Sequence, residues 1–338
     1  MDLRYLSFYS SDSDVIRVTG YLVNALRWKT GSGTGRSPEH NRSGSGSFQK
    51  RSYPGEKGAL MKAIVNRIIP FSSVDGPGNR TAIFLQGCNI NCKYCHNPET
   101  RRLCINCGAC VGQCCRALSL GEDNRVIWDQ GACVQCDTCI HVCPNDSSPK
   151  VREMTPEEVY AAVKRQIPFI RGISVSGGEC MLWPDFLKAL FTLAKADGLG
   201  CLIDSNGTIP LWDYPELLEI SDGVMLDIKA LMIQTTAGSP MKATIVLKNA
   251  VFLAKIGKLE EVRAVIVPDL YDGEKSIRGI GTLLAPYRNI REIRIKLIAY
   301  RPMGVREAYS HYQVPSPECL THLAAILREM GFKDIVII

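Results

Sequence analysis

The chain has 338 residues, of which 46% are hydrophobic, and a formal charge of +6; that length suits one large domain with an insertion, or two domains. No apolar run is long enough to cross a bilayer, and the N-terminus lacks the basic-then-apolar order of a secretory signal, so the expectation is a soluble cytoplasmic protein with no membrane partner. Residues 1–60 hold 9 Lys and Arg against 5 Asp and Glu, so +4 of the excess sits there and only +2 on the remainder, which argues against a basic nucleic-acid groove.

Residues 1–60 read as an appended, disordered extension, because Gly31 to Gly46 is rich in Gly, Ser, Arg and Asn with no apolar period. The character changes at Met61, where MKAIVNRIIPF begins, and Met61 is a candidate for the native start. From there short apolar strands alternate with amphipathic helices, the pattern of a parallel α/β fold. The strands are expected at Thr81–Gln86, Ile173–Ser176, Cys201–Asp204, Gly223–Ile228, Val262–Val267 and Ile293–Ala299, with an edge strand at Ile335–Ile338. The first helix after Met154 has a capping box, with Thr155 as cap, Pro156 in the first turn and Glu158 closing it. Later helices are expected near Pro184–Ala196, Leu211–Ile220, Lys242–Ile256, Gly273–Ala285 and Pro317–Met330. Six β/α units are too few for an eight-unit barrel and suit an open, partial one.

Fifteen cysteines are many for such a chain, and eleven of them fall in three regular groups. Clustered cysteines in a reducing compartment point to metal. Cys88, Cys92 and Cys95 have CxxxCxxC spacing. Cubane clusters normally take four thiolates, so three leave one iron open to a ligand from outside the protein. The alternative is a zinc site completed by His96. The second and third groups, Cys104, Cys107, Cys110, Cys114 and Cys133, Cys136, Cys139, Cys143, both read CxxCxxCxxxC. This is the bacterial ferredoxin spacing, in which the fourth cysteine of each run ligates the other cluster. Two zinc sites are the alternative, and Cys115 competes with Cys114 as fourth ligand. Cys180, Cys201 and Cys319 read as packing residues.

In a parallel barrel the active site lies at the C-terminal ends of the strands. Those ends deliver Cys88, then Gly177, Gly178 and Glu179, then Asp204 with Ser205, Asn206 and Gly207, then Asp227 and Lys229, then Tyr300 and Arg301. An S-adenosylmethionine (SAM) molecule suits such a rim. Its amino and carboxylate groups can chelate the open iron, Gly177 and Gly178 let a backbone come close, Asp204 can accept from an ammonium, and Lys229 can pair with the carboxylate.

The stretch SSVDGPGNRTAIFLQGCNINCKYCHNPET, through Asp75, Gly76, Pro77, Gly78, Arg80, Phe84, Gly87 and the three cysteines, resembles the signature of the radical SAM activating enzymes of glycyl radical enzymes. SGGE, DSNG, MLDIK and VRAVIVP follow in the family's order, and the likeness covers Met61 to Ile338. With its two-cluster insert the chain looks most similar to the YjjW-type activase, whose partner is a YjjI-type glycyl radical enzyme. The resemblance implies a partial (β/α)6 radical SAM barrel in residues 61–101 and 151–338, with a bacterial-ferredoxin-like insert at 102–150. It implies three [4Fe–4S] clusters, SAM, a flavodoxin or ferredoxin as reductant, and hydrogen abstraction from a backbone glycine of the partner. It also implies that Gly177, Gly178, Glu179, Asp204 and Lys229 contact the methionyl end of SAM, that Tyr94 lies near the adenine, and that Asp204, Met225 and Asp227 form a candidate monovalent-cation site. Three segments depart from the family pattern: Arg301 follows Tyr300 where His is usual, Pro268-Asp269 replaces Pro-Gly, and TTAGSP replaces a Thr-Gly-x-x-Asn segment. Arg301 can still hydrogen-bond ribose or carboxylate. A radical SAM enzyme with another target, or an iron–sulfur electron carrier, are the other classes that fit the cysteines.

Overall fold

The structure is a computed structural model that describes residues 61–113, 116–228 and 240–338, the side chains of 240–243 excepted. Residues 1–60, Cys114, Cys115, Lys229 and the 235–239 part of TTAGSP lie outside the described residues.

The main body is one nine-stranded mixed sheet. In chain order its strands are β1 (Ala63–Ser72) and β2 (Arg80–Leu85), then, after a two-stranded hairpin of β3 (Leu118–Leu120) and β4 (Val126–Trp128), β5 (Arg152–Met154), β6 (Gly172–Gly177), β7 (Gly200–Ser205), β8 (Gly223–Asp227), β9 (Leu259–Ile266), β10 (Arg294–Ala299) and β11 (Ile335–Ile337). The spatial order is β11-β10-β9-β8-β7-β6-β2-β1-β5, so β11 and β5 are edges. From β2 through β6 to β11 every neighbouring pair is parallel. Strands buried on both faces read as continuous apolar runs, and all six residues of β2 are buried.

Seven α-helices are described: α1 (Thr138–His141), α2 (Pro156–Lys164), α3 (Pro184–Ala196), α4 (Pro215–Ile220), α5 (Pro240–Lys255), α6 (Gly273–Leu284) and α7 (Pro317–Glu329). No described helix is long and apolar enough to cross a membrane. The capping box at α2 forms in both directions, Glu158 N donating to Thr155 Oγ1 at 3.3 Å and Thr155 N to Glu158 Oε2 at 2.8 Å. Thr155→Ala is expected to lower stability by about 1 kcal/mol, read from the midpoint of urea unfolding; an unchanged midpoint would show that the box contributes nothing.

Two sequence expectations need correction. The helix expected over Leu211–Ile220 is broken: a 3-10 turn over Leu211–Asp213 precedes α4. Pro215 pushes the residue before it out of helical space, and Tyr214 has φ −124° and ψ 55°. The first strand of the body is β1, which pairs antiparallel with β2 and slips register twice. Its slips, with Pro70 and the polar pair Asn66-Arg67, erase the period of two that marks a half-buried strand.

Candidate active site at the carboxyl edge of the sheet

The parallel strands present their C-terminal ends along one edge, and the loop carrying Cys88, Cys92 and Cys95 leaves β2 there. Gln86 anchors it. Its buried amide donates to Glu99 O and Arg102 O, both at 2.7 Å, and accepts from Asn66 Nδ2 at 2.8 Å. Gly87 N and Cys88 N donate to Thr100 O and Arg101 O, each at 2.8 Å. The loop is therefore closed on itself before the cysteines begin. Cys92 is buried, and Cys88 and Cys95 are half-buried.

Among the described residues no three His, Cys, Asp or Glu side chains converge as ligands of a single metal ion. A cubane asks for something else: each thiolate takes its own iron corner, so the ligands surround a volume instead of meeting at a point. Three thiols on one tethered loop, two of them half-buried, are the donor set such a cluster takes, and Asn206 Nδ2 lies 3.7 Å from Cys88 Sγ.

The SGGE turn packs directly on this loop. Gly177 has φ +125°, and a Cβ there would stand 2.0 Å from Leu85 O; a Cβ on Gly178 would stand 2.2 Å from Gly87 O. The glycines are thus required for contact with the backbone of the cysteine loop, whatever else approaches them. Glu179 is buried, and its carboxylate accepts from Met181 N at 3.0 Å, Ser205 Oγ at 2.9 Å and Asn206 N at 2.7 Å. The side chain serves as a staple between the SGGE and DSNG turns.

Asp204 lies below that staple. Ser176 Oγ donates to its Oδ2 at 2.7 Å, and Arg263 Nη1 stands 2.6 Å from the same oxygen. Burial raises the Asp204 pKa, and Asp227 and Asp75 push the same way, against Arg263 and the Ser176 hydrogen bond. Arg263 also donates from Nε to Glu261 at 2.6 Å and from Nη2 to Met225 Sδ at 3.2 Å. Lys296 Nζ reaches Glu261 at 2.9 Å and Val74 O at 3.2 Å. Two of the three residues expected around a monovalent cation, Asp204 and Met225, thus already face a guanidinium, and a cation there would require Arg263 to move. The DGPG turn reaches this region too, since a Cβ on Gly76 would stand 3.1 Å from Met225 Sδ and from Ser174 Oγ.

Tyr94 is buried against Val267 and Tyr300, at the ends of β9 and β10. Arg301 is exposed. The arginine that meets the cysteine loop is instead Arg306, whose Nη2 donates to Cys92 O at 2.9 Å and whose guanidinium lies 4.8 Å from the Tyr309 ring centre. Sequence reasoning missed Arg263, Arg306 and the contact of Asn206. The available signal was weak: Glu261, Arg263 and Lys296 are charges set inside otherwise apolar strands.

Residues 102–150, called the lobe below, run from the cysteine loop to β5 and carry the β3–β4 hairpin and α1. Arg102 and Ser147 pair in an isolated bridge, and Asp146 is ion-paired with both Arg101 and Arg306. Within the lobe a cavity is lined by Cys104, Cys107, Cys110 and Cys143. Cys143 Sγ lies 3.3 Å from Ser147 Oγ. Cys110, Leu118 and Cys139 form a small apolar cluster, with Val111, Val126, Trp128 and Ile140 around it. Burial raises the thiol pKa values of Cys104, Cys110 and Cys139. Cys133 is half-buried and Cys136 exposed. Cys180 and Cys201 are buried in the main body, Cys180 donating to Asp204 O at 3.2 Å.

The profile of the Radical SAM superfamily matches residues 82–237. A Haemophilus influenzae protein, named provisionally as a glycyl-radical enzyme activating enzyme, is 30% identical over 297 residues, which cover 81% of this chain and 96% of that one. The pyruvate formate-lyase-activating enzyme of Streptococcus mutans is 31% identical over 256 residues, 72% of this chain and 80% of its own. The indoleacetate decarboxylase activating enzyme of Tractidigestivibacter scatoligenes is 27% identical over 307 residues, 82% and 98% respectively.

Proposed function

This chain belongs to the radical SAM glycyl-radical enzyme activating enzymes and is an oxidoreductase of that type, and from that membership we propose that it installs a radical on a backbone glycine of a partner enzyme. Cys88, Cys92 and Cys95 would hold a [4Fe–4S] cluster and leave one iron open to SAM. Such a cluster would supply the electron for reductive cleavage of SAM to methionine and a 5′-deoxyadenosyl group able to take a hydrogen atom from the glycine. The chain's own work is to place these groups. Gly177 and Gly178 would bring backbone to the methionyl end, Asp204 and Lys229 would balance its charges, Tyr94 would lie towards the adenine, and Arg301 would hydrogen-bond ribose or carboxylate. Glu179 acts by joining the two turns that face the cysteine loop.

Residues 102–150 are proposed to hold two further clusters as the entry for electrons from a flavodoxin or ferredoxin. The first would use Cys104, Cys107, Cys110 and Cys143, the second Cys133, Cys136, Cys139 and Cys114. The cavity lined by the first set supports the crossed pairing. The partner is proposed to be a YjjI-type glycyl radical enzyme. The observation that carries the whole reading is the docking of the CxxxCxxC loop against the SGGE and DSNG turns at the carboxyl edge of a parallel sheet. Anaerobic reconstitution with iron and sulfide, followed by SAM, dithionite and the candidate partner, should give 5′-deoxyadenosine and a glycyl radical seen by electron paramagnetic resonance. An electron carrier would give neither.

A further inference from the structure

We infer that Asn206 is a positioning residue for the Cys88 thiolate and holds the reduction potential of the cluster at the Cys88, Cys92, Cys95 site higher than it would otherwise be. The inference rests on the proposed cluster at that site and concerns what this chain does to it.

The geometry leaves the Asn206 amide one orientation. Its Oδ1 accepts from Thr208 N at 3.0 Å and from Thr208 Oγ1 at 2.7 Å. Both lone pairs of the oxygen are thereby used, and the NH2 end faces Cys88 Sγ at 3.7 Å and Asn89 Oδ1 at 3.1 Å. Rotating the amide would set its oxygen against Asn89 Oδ1 and its nitrogen against the Thr208 N–H. The backbone is held just as firmly. Asn206 N donates to Glu179 Oε2 at 2.7 Å, Ser205 Oγ donates to Glu179 Oε1 at 2.9 Å, and Gly207 N donates to Ser205 Oγ at 3.0 Å. Gly207 turns the chain with φ +69°, where a Cβ would stand 2.6 Å from Leu226 Cδ1. Asn206 itself is buried. The SGGE and DSNG turns are therefore joined by hydrogen bonds, and together they direct an N–H at Cys88 Sγ.

An electron added to a cluster increases the negative charge on its sulfurs. A fixed donor in a low-dielectric setting stabilises the reduced form more than the oxidised one and raises the potential. Without Asn206 the reduced fraction at a given potential should fall about tenfold, which for one electron is a downward shift of about 59 mV.

The test is a reductive titration of the reconstituted full chain followed by electron paramagnetic resonance. Only the part of the reduced-cluster signal that changes on adding SAM is tracked, because that part belongs to the site open to SAM. Asn206→Ala should titrate lower than the wild type by about that amount. Asn206→Asp, close in shape, sets an oxygen against the thiolate and should titrate lower still. If Asn206→Ala does not fold, Asn206→Asp alone decides the matter. Potentials equal to the wild type, or higher, overturn the inference while leaving the cluster assignment standing. A wild type with no SAM-sensitive cluster signal overturns the assignment and the inference together.

Discussion

Cys92→Ala is expected to abolish 5′-deoxyadenosine formation from SAM and, with the three proposed clusters loaded, to lower bound iron from about twelve to about eight atoms per chain. Cys92 is the buried member of its triplet, and its carbonyl oxygen accepts from Arg306 Nη2 at 2.9 Å and from Cys95 N at 3.4 Å. The two cysteines buried in the main body are not available to take its place: Cys180 and Cys201 hydrogen-bond to Asp204 O and to Leu199 O. Two thiolates do not retain a cubane where three are needed to leave one open corner. The contrasting variant is Cys139→Ala, in the apolar cluster of the 102–150 lobe. It should lose iron but keep SAM binding, because Cys139 packs with Cys110 and Leu118 inside the lobe, away from the Cys88, Cys92, Cys95 triplet in sequence. SAM cleavage by Cys92→Ala would refute the site assignment. Loss of SAM binding in Cys139→Ala would mean that the lobe shapes the site directly.

Arg263→Met should cost about 3–5 kcal/mol of stability, the usual result of removing one partner from a buried ion pair. The guanidinium is largely enclosed, with 10% of its side chain exposed against 9% for Asp204 and 0% for Glu261. Glu261 keeps Lys296 when Arg263 is gone, so the group left stranded is Asp204, with Asp227 and Asp75 as like-charged neighbours. Its carboxyl then rises further above its unfolded value. An acid raised in the folded state costs stability as pH climbs from its unfolded pKa through the folded one. The loss should therefore be smallest at about pH 3 or below, where the group is largely protonated in both states, and should grow towards neutrality. Adding Asp204→Asn to Arg263→Met should restore much of the stability at pH 7. Urea unfolding at several pH values checks all three statements; a loss in Arg263→Met that does not vary with pH would mean that Asp204 is not the stranded charge.

Much of this protein was legible because its signals are local. The strands from β2 to β11 that form the parallel run are short apolar runs flanked by turn residues, and each was placed from sequence to within a few residues. The capping box at Thr155 spans four positions and formed as read. The cysteine triplet is equally local, and the family signature around it was visible on the chain itself. What escaped depends on strand order. Arg263 meets Asp204 only because β8 lies between β9 and β7, and Met225 lies on the strand they share as neighbour. Arg306 reaches Cys92 across more than two hundred residues of chain. Glu179 was read from the family pattern as a ligand to SAM, yet its hydrogen bonds to Ser205 and Asn206 join two turns that are 26 and 27 residues apart. No periodicity encodes such pairings. β1 was missed for the opposite reason: its local pattern is real but spoiled by two register slips.

The bridge between Arg102 and Ser147 places the two ends of the cysteine-rich lobe side by side. Everything between them is a detour that returns to its starting point. Lengthening or shortening a loop whose ends already meet changes its closure entropy only slowly with length. A change of length in this stretch should therefore leave β2 and β5 in place. Asp146, paired with Arg101 on one side of the seam and Arg306 on the other, is the latch that fixes how the lobe is seated.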